Sequence, residues 1–327
     1  MLAGGGLYTV GNMFPMRALL SVFKPKGDRK LVSVVLRDDR VDVVSVRREA
    51  GSRPRVMFAD SVEKLGNDES ALEAVKRGMK LGECHCTTLL RRGDYQLIPT
   101  DIVDGPIEEA REAARWKLKD QVEFAVETAA IDLLPAPSHG RGGQAYAVLA
   151  PEASVGPLVR AFQAAGLVLT VVDLPEMSQR NLANLFEEEG RALATLIFDD
   201  DEGLLTFTMN GDLLIARHVE ISARQLVAAG DERRSALFDR IELELQRSLD
   251  NFERMYSSLS LQRLLVAPLP GVDGLLGQLR SNLAIPVSEL EIGSVLNIDL
   301  TPGLRDPMKQ FQSLRALGAA LREEVAA

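Results

Sequence analysis

The chain has 327 residues, 46% of them hydrophobic and 26% charged, with a formal net charge of −9. That length suits two linked α/β units, each with enough apolar residues for a core. Lys and Arg are scattered, without the basic stripe that tracks a nucleic-acid backbone, which argues against a nucleic-acid partner. Cys84 and Cys86 are the only cysteines, too few for a disulfide framework and in keeping with a reducing, cytoplasmic compartment. No stretch reaches the ~20 apolar residues of a transmembrane segment.

Residues 1–30 read as a tail expected to be flexible, since regular patterning begins near Leu31. Its one apolar run with a basic flank, Met16 to Phe23, lies between Pro15 and Pro25 and precedes Lys24 and Lys26. A secretory signal carries its charge ahead of the apolar run. The functional alternative to a dispensable tail is a weak foot for a membrane surface or a partner.

The most informative pattern is a repeat. Leu31 to Leu36 alternates as a strand, Arg37-Asp38-Asp39-Arg40 turns the chain, Val41 to Val46 alternates again, and Val56 to Ala59 gives a third strand. Ala194 to Phe198, the acidic turn Asp199 to Gly203, Leu204 to Thr208, the hairpin signal Asn210-Gly211 and Leu213 to Val219 repeat that order. A helix follows each meander, at Ser70 to Met79 and from Ser222. Apolar strands come next, at Cys84 to Leu90 and Leu261 to Val266. Late helix–strand pairs follow at Val155 to Val172 and Leu275 to Leu290.

Between the halves' common elements, residues 95–144 form an insertion in the first half. Asp104-Gly105-Pro106 opens a helix expected to run through Phe124, Ala125 to Leu134 looks extended, and Gly140 to Gly143 reads as a flexible connector. The longest helix spans Ser235 to Leu259, with Leu237, Ile241, Leu245, Leu249, Phe252 and Tyr256 on one stripe. The fold class expected is α/β: a duplicated actin-like, ribonuclease-H-like two-domain fold. Its first domain would cover 31–190 and its second 191–312, with a C-terminal helix at 313–327 packing back on the core.

With those segments in order, the sequence resembles the PilM-like, actin-fold cytoplasmic proteins of type IV pilus assembly. Within them it most resembles the MshI branch serving mannose-sensitive haemagglutinin (MSHA) pili. Four stretches carry the resemblance. They are Trp116 with Gln121 to Pro135, Ala145 to Leu182, Arg240 to Tyr256, and Ser313 to Glu324. The resemblance implies an adaptor that holds the cytosolic N-terminal tail of a PilN-like bitopic inner-membrane protein and links the pilus platform to its motors. Such a protein is cytoplasmic and peripherally associated with the inner membrane through that partner. Fold alone would not license this, because the same scaffold also hosts kinases and chaperones.

An actin-like ATPase holds phosphates in two turns that need Gly, Ser or Thr for close backbone approach, and an Asp for the metal. Here the first turn, with Asp38 and Asp39, has none of the three. The second carries Asp199, Asp200, Asp201 and Glu202 ahead of Gly203. At ~4 Å each unscreened carboxylate–phosphate pair would repel by a few kcal/mol. The adenosine turn is replaced by Ala267-Pro268-Leu269-Pro270-Gly271, whose prolines remove donors. The expectation is therefore no catalytic residue, no ATP or Mg²⁺ cofactor, and both acidic turns as solvated hairpins. Alternatives are an active actin-like ATPase or kinase that uses MgATP, and the cytoplasmic domain of a GspL-type type II secretion protein.

No metal site is expected. Cys84 and Cys86 would share one strand face with His85 on the other, and His139 and His218 lack metal spacing. Trp116 reads first as a core residue of the insertion and, as a weaker candidate, as an aromatic anchor in a partner groove.

Overall fold

The computed structural model describes residues 31–82, 84–101, 106–135 and 144–322. The expected tail, the Asp104-Gly105 pair, the Gly140 to Gly143 connector and the last residues of the C-terminal helix lie outside these described residues. The first unit begins with β1 (Leu31–Leu36), β2 (Arg40–Arg47), β3 (Arg55–Glu63), α1 (Asp68–Met79) and β4 (His85–Leu89). An inserted unit follows, of β5 (Gln96–Asp101), α2 (Ile107–Lys117), β6 (Ala130–Pro135) and β7 (Gln144–Ala150). The chain then returns through α3 (Glu152–Ala164), β8 (Val168–Asp173) and α4 (Pro175–Ala183).

The second unit starts with β9 (Ala192–Phe198), β10 (Gly203–Met209) and β11 (Asp212–Val219), followed by α5 (Ala223–Ala228) and α6 (Asp231–Met255). It ends with β12 (Leu261–Val266), α7 (Leu275–Asn282), β13 (Val287–Glu289) and α8 (Pro307–Ala320). The first sheet runs β3-β2-β1-β4-β8 and the second β11-β10-β9-β12-β13. In each, an antiparallel meander joins a parallel strand beside its first member. The duplication read from the strand pattern is thus present as repeated topology. The insertion forms a separate antiparallel sheet, β5-β7-β6.

Local chemistry explains the element ends. Asn67 accepts from Ser70 N–H to cap α1, with Asp68 and Glu69 in its first turn, and Lys80 closes it at φ 56°. Asn210 and Gly211 take φ of 53° and 77°, the paired left-handed conformations of a two-residue hairpin. Ser222 and Gln225 form a reciprocal capping box for α5. Leu237, Ile241, Leu245 and Phe252 are buried on the inner stripe of α6, with Leu249 partly buried beside them and Tyr256 buried at the C-cap. Phe252 stacks on Phe207 of β10 with ring centroids 4.9 Å apart.

The long helix runs Asp231–Met255 rather than Ser235 to Leu259, and the third strand extends to Glu63. Three boundaries differ more widely. The insertion helix stops at Lys117 rather than Phe124, because Leu118 turns into the core and Arg115 reaches over to the carbonyls of Val126 and Ala129. Those contacts hold 125–129 as a turn, so only Ala130–Pro135 is extended. The last helix starts at Pro307 rather than Ser313, since Asp306 caps it by accepting from Lys309 N–H and Pro307 suits its first position.

Each unit gives its last helix to the other. α4 lies across β9, β10 and β11, while α8 lies across β1, β2, β3 and β4, and the two helices cross. One apolar cluster accordingly joins Val35 and Val44 of the first sheet, Leu193 and Ile197 of the second, and Leu182, Leu314, Leu317 and Leu321 around the crossing. At the crossing Ser178 Oγ donates to the Arg315 carbonyl at 2.6 Å and Asn181 Nδ2 donates to the Gly318 carbonyl at 3.1 Å. A Cβ on Gly318 would sit 2.1 Å from the Ser178 carbonyl oxygen, so no other residue fits without moving a helix backbone.

Gly318→Ala should therefore lower unfolding free energy by about 1–3 kcal/mol, the usual cost of overpacking, measured by urea denaturation. Gly277→Ala is the control: its Cβ would meet nothing within 4 Å on exposed α7, and it should be neutral or stabilising by up to ~1 kcal/mol. Equal effects at both positions would show that the crossing is not tightly packed.

Candidate functional site

The cleft between the two sheets is bounded by the connections β1–β2 and β9–β10. Both are four-residue turns of one geometry. Leu36 pairs with Val41 and Phe198 with Gly203. Arg37 N–H donates to the Arg40 carbonyl at 2.8 Å, and Asp199 N–H donates to the Glu202 carbonyl at 2.8 Å. Arg37 thus corresponds to Asp199, and Arg40 to Glu202. At these two end positions the turns carry opposite charges, while both central positions are Asp in each.

Those charges meet across the cleft. Arg40 pairs with Asp200 at 2.6 Å, and Arg37 reaches Asp199 at 3.5 Å. Arg40 and Arg37 also hold Asp42, wholly buried on β2, at 3.0 and 3.4 Å. From α8, Arg315 adds Nε to Asp199 at 3.2 Å and Nη1 to Gln179 Oε1 at 2.9 Å. The other oxygen of Asp199 accepts N–H bonds from Asp201 and Glu202, each at 3.1 Å. Burial opposes ionisation of Asp199, but Arg315, Arg37 and these N–H donors outweigh it and hold the carboxyl down at about 2.

The acidic turn is therefore not the solvated hairpin that its composition suggests. Asp199 and Asp200 are each only 14% and 13% exposed, and arginines neutralise them. Asp201 alone projects outward, where Arg224 lies 3.5 Å away. In the first turn Asp38 and Asp39 do remain largely exposed, paired with Arg91 at 2.7 Å and Arg40 at 3.2 Å. Repulsion between bare carboxylates and phosphate is accordingly not what this cleft presents. Its feature is occupancy: between the turns, Arg315, Arg92 and Pro175 leave about 50 Å³. At roughly 10–15 Å³ per water, that admits a few solvent molecules.

A second buried group extends the pairing. His218 on β11 sits between two carboxylates, Nδ1 at 2.9 Å from Glu202 and Nε2 at 3.0 Å from Glu176. Glu176 is fully buried on α4 and accepts the Tyr95 hydroxyl at 2.7 Å. Arg92 binds Glu202 at 2.5 Å. Burial works against a charged imidazole, yet the hydrogen bonds to Glu176 and Glu202 prevail and raise His218 to about 9. Arg92 and Tyr95 belong to the stretch entering the insertion, so this cluster ties all three sheets together.

The remaining sequence candidates fall elsewhere. Gly203 is a strand residue whose added Cβ would lie 2.7 Å from the Phe198 ring, a packing requirement rather than a phosphate contact. Pro268 and Gly271 lie in the β12–α7 connection, where Gly271 takes φ 77°. They border a hollow of about 560 Å³ closed by Asp306, Pro307 and Met308 of α8. An adjoining recess of about 310 Å³ is mostly apolar, with Val227, Leu269, Met308 and Phe311. The side of the cleft at the β12–α7 connection is open; the space between the two turns is filled.

Trp116 is not core. It is 56% exposed on the outer face of α2, with Lys119 Nζ 5.6 Å from its ring centroid. Cys86 is buried in the first unit's core, where burial pushes its thiol up to about 12. Among the described residues no three His, Cys, Asp or Glu side chains converge as a metal-binding group, and no helix is long and apolar enough to cross a membrane.

Sequence reasoning passed over Arg37, Arg40, Glu176, His218 and Arg315. The alternation RDDR against DDDE was the available signal for the first two, once the turns are aligned. For the others, which approach from distant elements, no local signal exists.

Repeated sheets, exchanged terminal helices and a cleft between matched hairpin turns define an actin-like ATPase fold with an insertion in its first unit. No protein-family model and no curated protein matches the sequence. Among solved structures, a chain of the PilM-PilN type IV pilus biogenesis complex is similar with a TM-score of 0.66 at 21% identity, over 92% of this chain and 100% of that one. The fold is thus PilM-like. Further likenesses include the cytoplasmic domain of EpsL, an inner-membrane component of the type II secretion system of Vibrio cholerae. That match has a TM-score of 0.49 at 15% identity, over 88% of this chain and 94% of that one. A Bacteroides thetaiotaomicron protein with an actin-like ATPase fold and unknown function gives 0.48 at 10%, over 87% and 97%.

The His218 cluster gives a signed pH effect. A pKa raised from about 6.5 to about 9 adds stability that is complete below pH ~6.5 and lost as pH rises through ~9, of order 3 kcal/mol. Asp199 acts oppositely: its contribution is present above pH ~4 and is lost as pH falls toward ~2. Urea midpoints between pH 6.5 and 9.5 should fall in the native chain and fall much less in His218→Gln. Equal slopes in the two proteins would show that His218 is not held charged.

Proposed function

We propose that the protein is a nucleotide-independent adaptor of a type IV pilus assembly platform, of the MSHA kind, that holds the cytosolic N-terminal tail of a PilN-like bitopic inner-membrane protein. It works in the cytoplasm, at the inner membrane through that partner, and carries no catalytic residue. The observation that carries this reading is the set of pairs Arg40–Asp200, Arg37–Asp199 and Arg315–Asp199 in the place where an actin-like ATPase keeps phosphate. Internal ion pairs do there what a bound nucleotide does in a working ATPase: they bridge the two hairpin turns. The likeness to a chain of the PilM-PilN complex supports the pilus assignment.

The pairs also explain how the two turns are held together without a nucleotide. Removing one partner from a buried pair leaves an uncompensated charge at a cost of about 3–5 kcal/mol. For ATP to enter, its phosphates would have to displace three arginines from carboxylates, or sit beside both. Trp116 is the residue of the insertion placed to serve as an aromatic anchor, since a large exposed ring on a rigid helix contributes binding area at little entropic cost.

The primary test is thermal unfolding with and without MgATP or ADP. A ligand at 100 times its Kd adds about 2.7 kcal/mol, which would raise Tm by ~5 °C or more. No shift is expected. A magnesium-dependent shift would establish the ATPase or kinase alternative instead. A second measurement uses a synthetic PilN-like N-terminal tail in a calorimetric titration. Binding to the native chain that weakens at least about 30-fold in Trp116→Ala, without change in Tm, supports the anchor. Failure of every pilus-type tail, with capture of a secretion-platform tail, would move the protein to the GspL-type alternative.

A further inference from the structure

One end of the first sheet carries arginines that no acid answers. Arg47 of β2 and Arg55 of β3 oppose each other across the ladder, both exposed, although like charges so placed cost stability. Arg53 lies two residues before Arg55, and the Pro54 between them disfavours helix at Arg53. The two side chains therefore leave an extended backbone on one side. Arg305 closes the short 3-10 turn Pro302–Arg305 ahead of α8. Among the described residues these four arginines make no ion pair.

Arg53, Arg55 and Arg305 line a groove of about 440 Å³. Its floor is the connection between β13 and α8, bridged to the start of β3. Val56 N–H donates to the Asn297 carbonyl at 2.9 Å, and Asn297 N–H to the Pro54 carbonyl at 2.9 Å. Leu296 and Ile298, on either side of Asn297, are buried. The backbone beneath the arginines is thus fixed in advance, which lowers the ordering cost of binding. Among the described residues of the lining, Asp299 is the only acid. Its N–H donates to Asn297 Oδ1 at 3.1 Å, which leaves the Asn297 amide N–H groups as further donors.

A guanidinium offers paired donors in a plane that fits a carboxylate or a phosphate. The surroundings decide between the sources of such an anion. Glu49, Glu291 and Asp306 are all exposed within three residues of the lining, so an acidic margin encloses the basic centre. Charges act over about 8 Å at physiological salt, so a short segment lying in the groove meets chiefly the arginines. A bilayer or a duplex would cover the acidic margin as well, and a flat bilayer does not enter a recess. A lone phosphate would leave most of the groove empty. In an extended peptide, alternate side chains project from one face about 6.6–6.8 Å apart, the spacing that Arg53 and Arg55 have by the same geometry. We propose that this groove holds an extended acidic segment of a partner protein, with carboxylates at alternate positions against Arg53 and Arg55. No residue of the insertion lines it, and the inference does not rest on the pilus reading.

Fluorescence anisotropy of a short labelled peptide of alternating Glu and Ser, titrated with the full chain, tests it. Binding is expected, is expected to weaken as salt rises, and should vanish when Gln replaces every Glu of the peptide. An exposed Arg–carboxylate pair contributes up to about fivefold, so Arg53→Gln with Arg55→Gln should weaken binding at least about tenfold. The same double variant should unfold at an equal or higher urea concentration than the native chain, because it removes the opposition of Arg47 and Arg55. Arginines with a purely structural role would lower it.

No binding of the alternating peptide would overturn the proposal, as would undiminished binding by the double variant. Arginine-dependent binding of phosphatidylglycerol vesicles, or of tripolyphosphate, in preference to the peptide would also overturn it, in favour of a lipid surface or a phosphate ligand.

Discussion

The contact between Gly318 and the Ser178 backbone decides how close the two halves come. It lets α8 press against α4 with no side chain between them, and hydrogen bonds from Ser178 and Asn181 fix the register of the crossing. Arg315 lies one turn before Gly318 on the same helix, so the crossing also delivers its guanidinium to Asp199. From Asp199 the pairing continues through Arg37 to the other turn. A bulkier residue at the crossing would thus do more than open a packing defect. It would withdraw the guanidinium that α8 places against Asp199.

Ion pairs of this kind are weak sources of net stability, because each charge must first shed its water. Their importance here is in which arrangement they permit. With Asp42, Asp199 and Asp200 each committed to arginine, any movement that separates the turns strands several charges at once. The His218 cluster works the same way on the other flank, where Glu176 and Glu202 would otherwise face each other as buried anions. The space between the turns is thus held from two flanks by groups that a half-open state would leave as buried, unpaired charges.

The strand meanders, their repetition, the long α6 stripe and the Asn210-Gly211 hairpin were legible because period and turn chemistry are local properties. Helix ends were less so. The stop of α2 depends on Arg115 finding two carbonyls in a turn that no pattern announces, and the start of α8 on a cap at Asp306. In the cleft, the loss of phosphate-loop residues could be read directly. What replaced them could not, since composition shows four successive acids but not the arginines that approach from β2 and α8. The same limit misplaced Trp116: an apolar neighbourhood in sequence says nothing of which side of a helix meets the sheet.

The exchange of terminal helices sets the order in which the protein can be completed during synthesis. Domains generally fold as units, the N-terminal one first as it leaves the ribosome. The first sheet is denied that head start, because the face of β1 to β4 is covered by α8, made from Pro307–Ala320 near the very end of the chain. Until those residues emerge, Val35 and Val44 lack the cover that Leu314 and Leu317 give them. The nascent first half must wait, with apolar surface open, through the translation of the whole second half. A truncated message would yield not one working domain but an unfinished sheet exposed to chaperones and proteases.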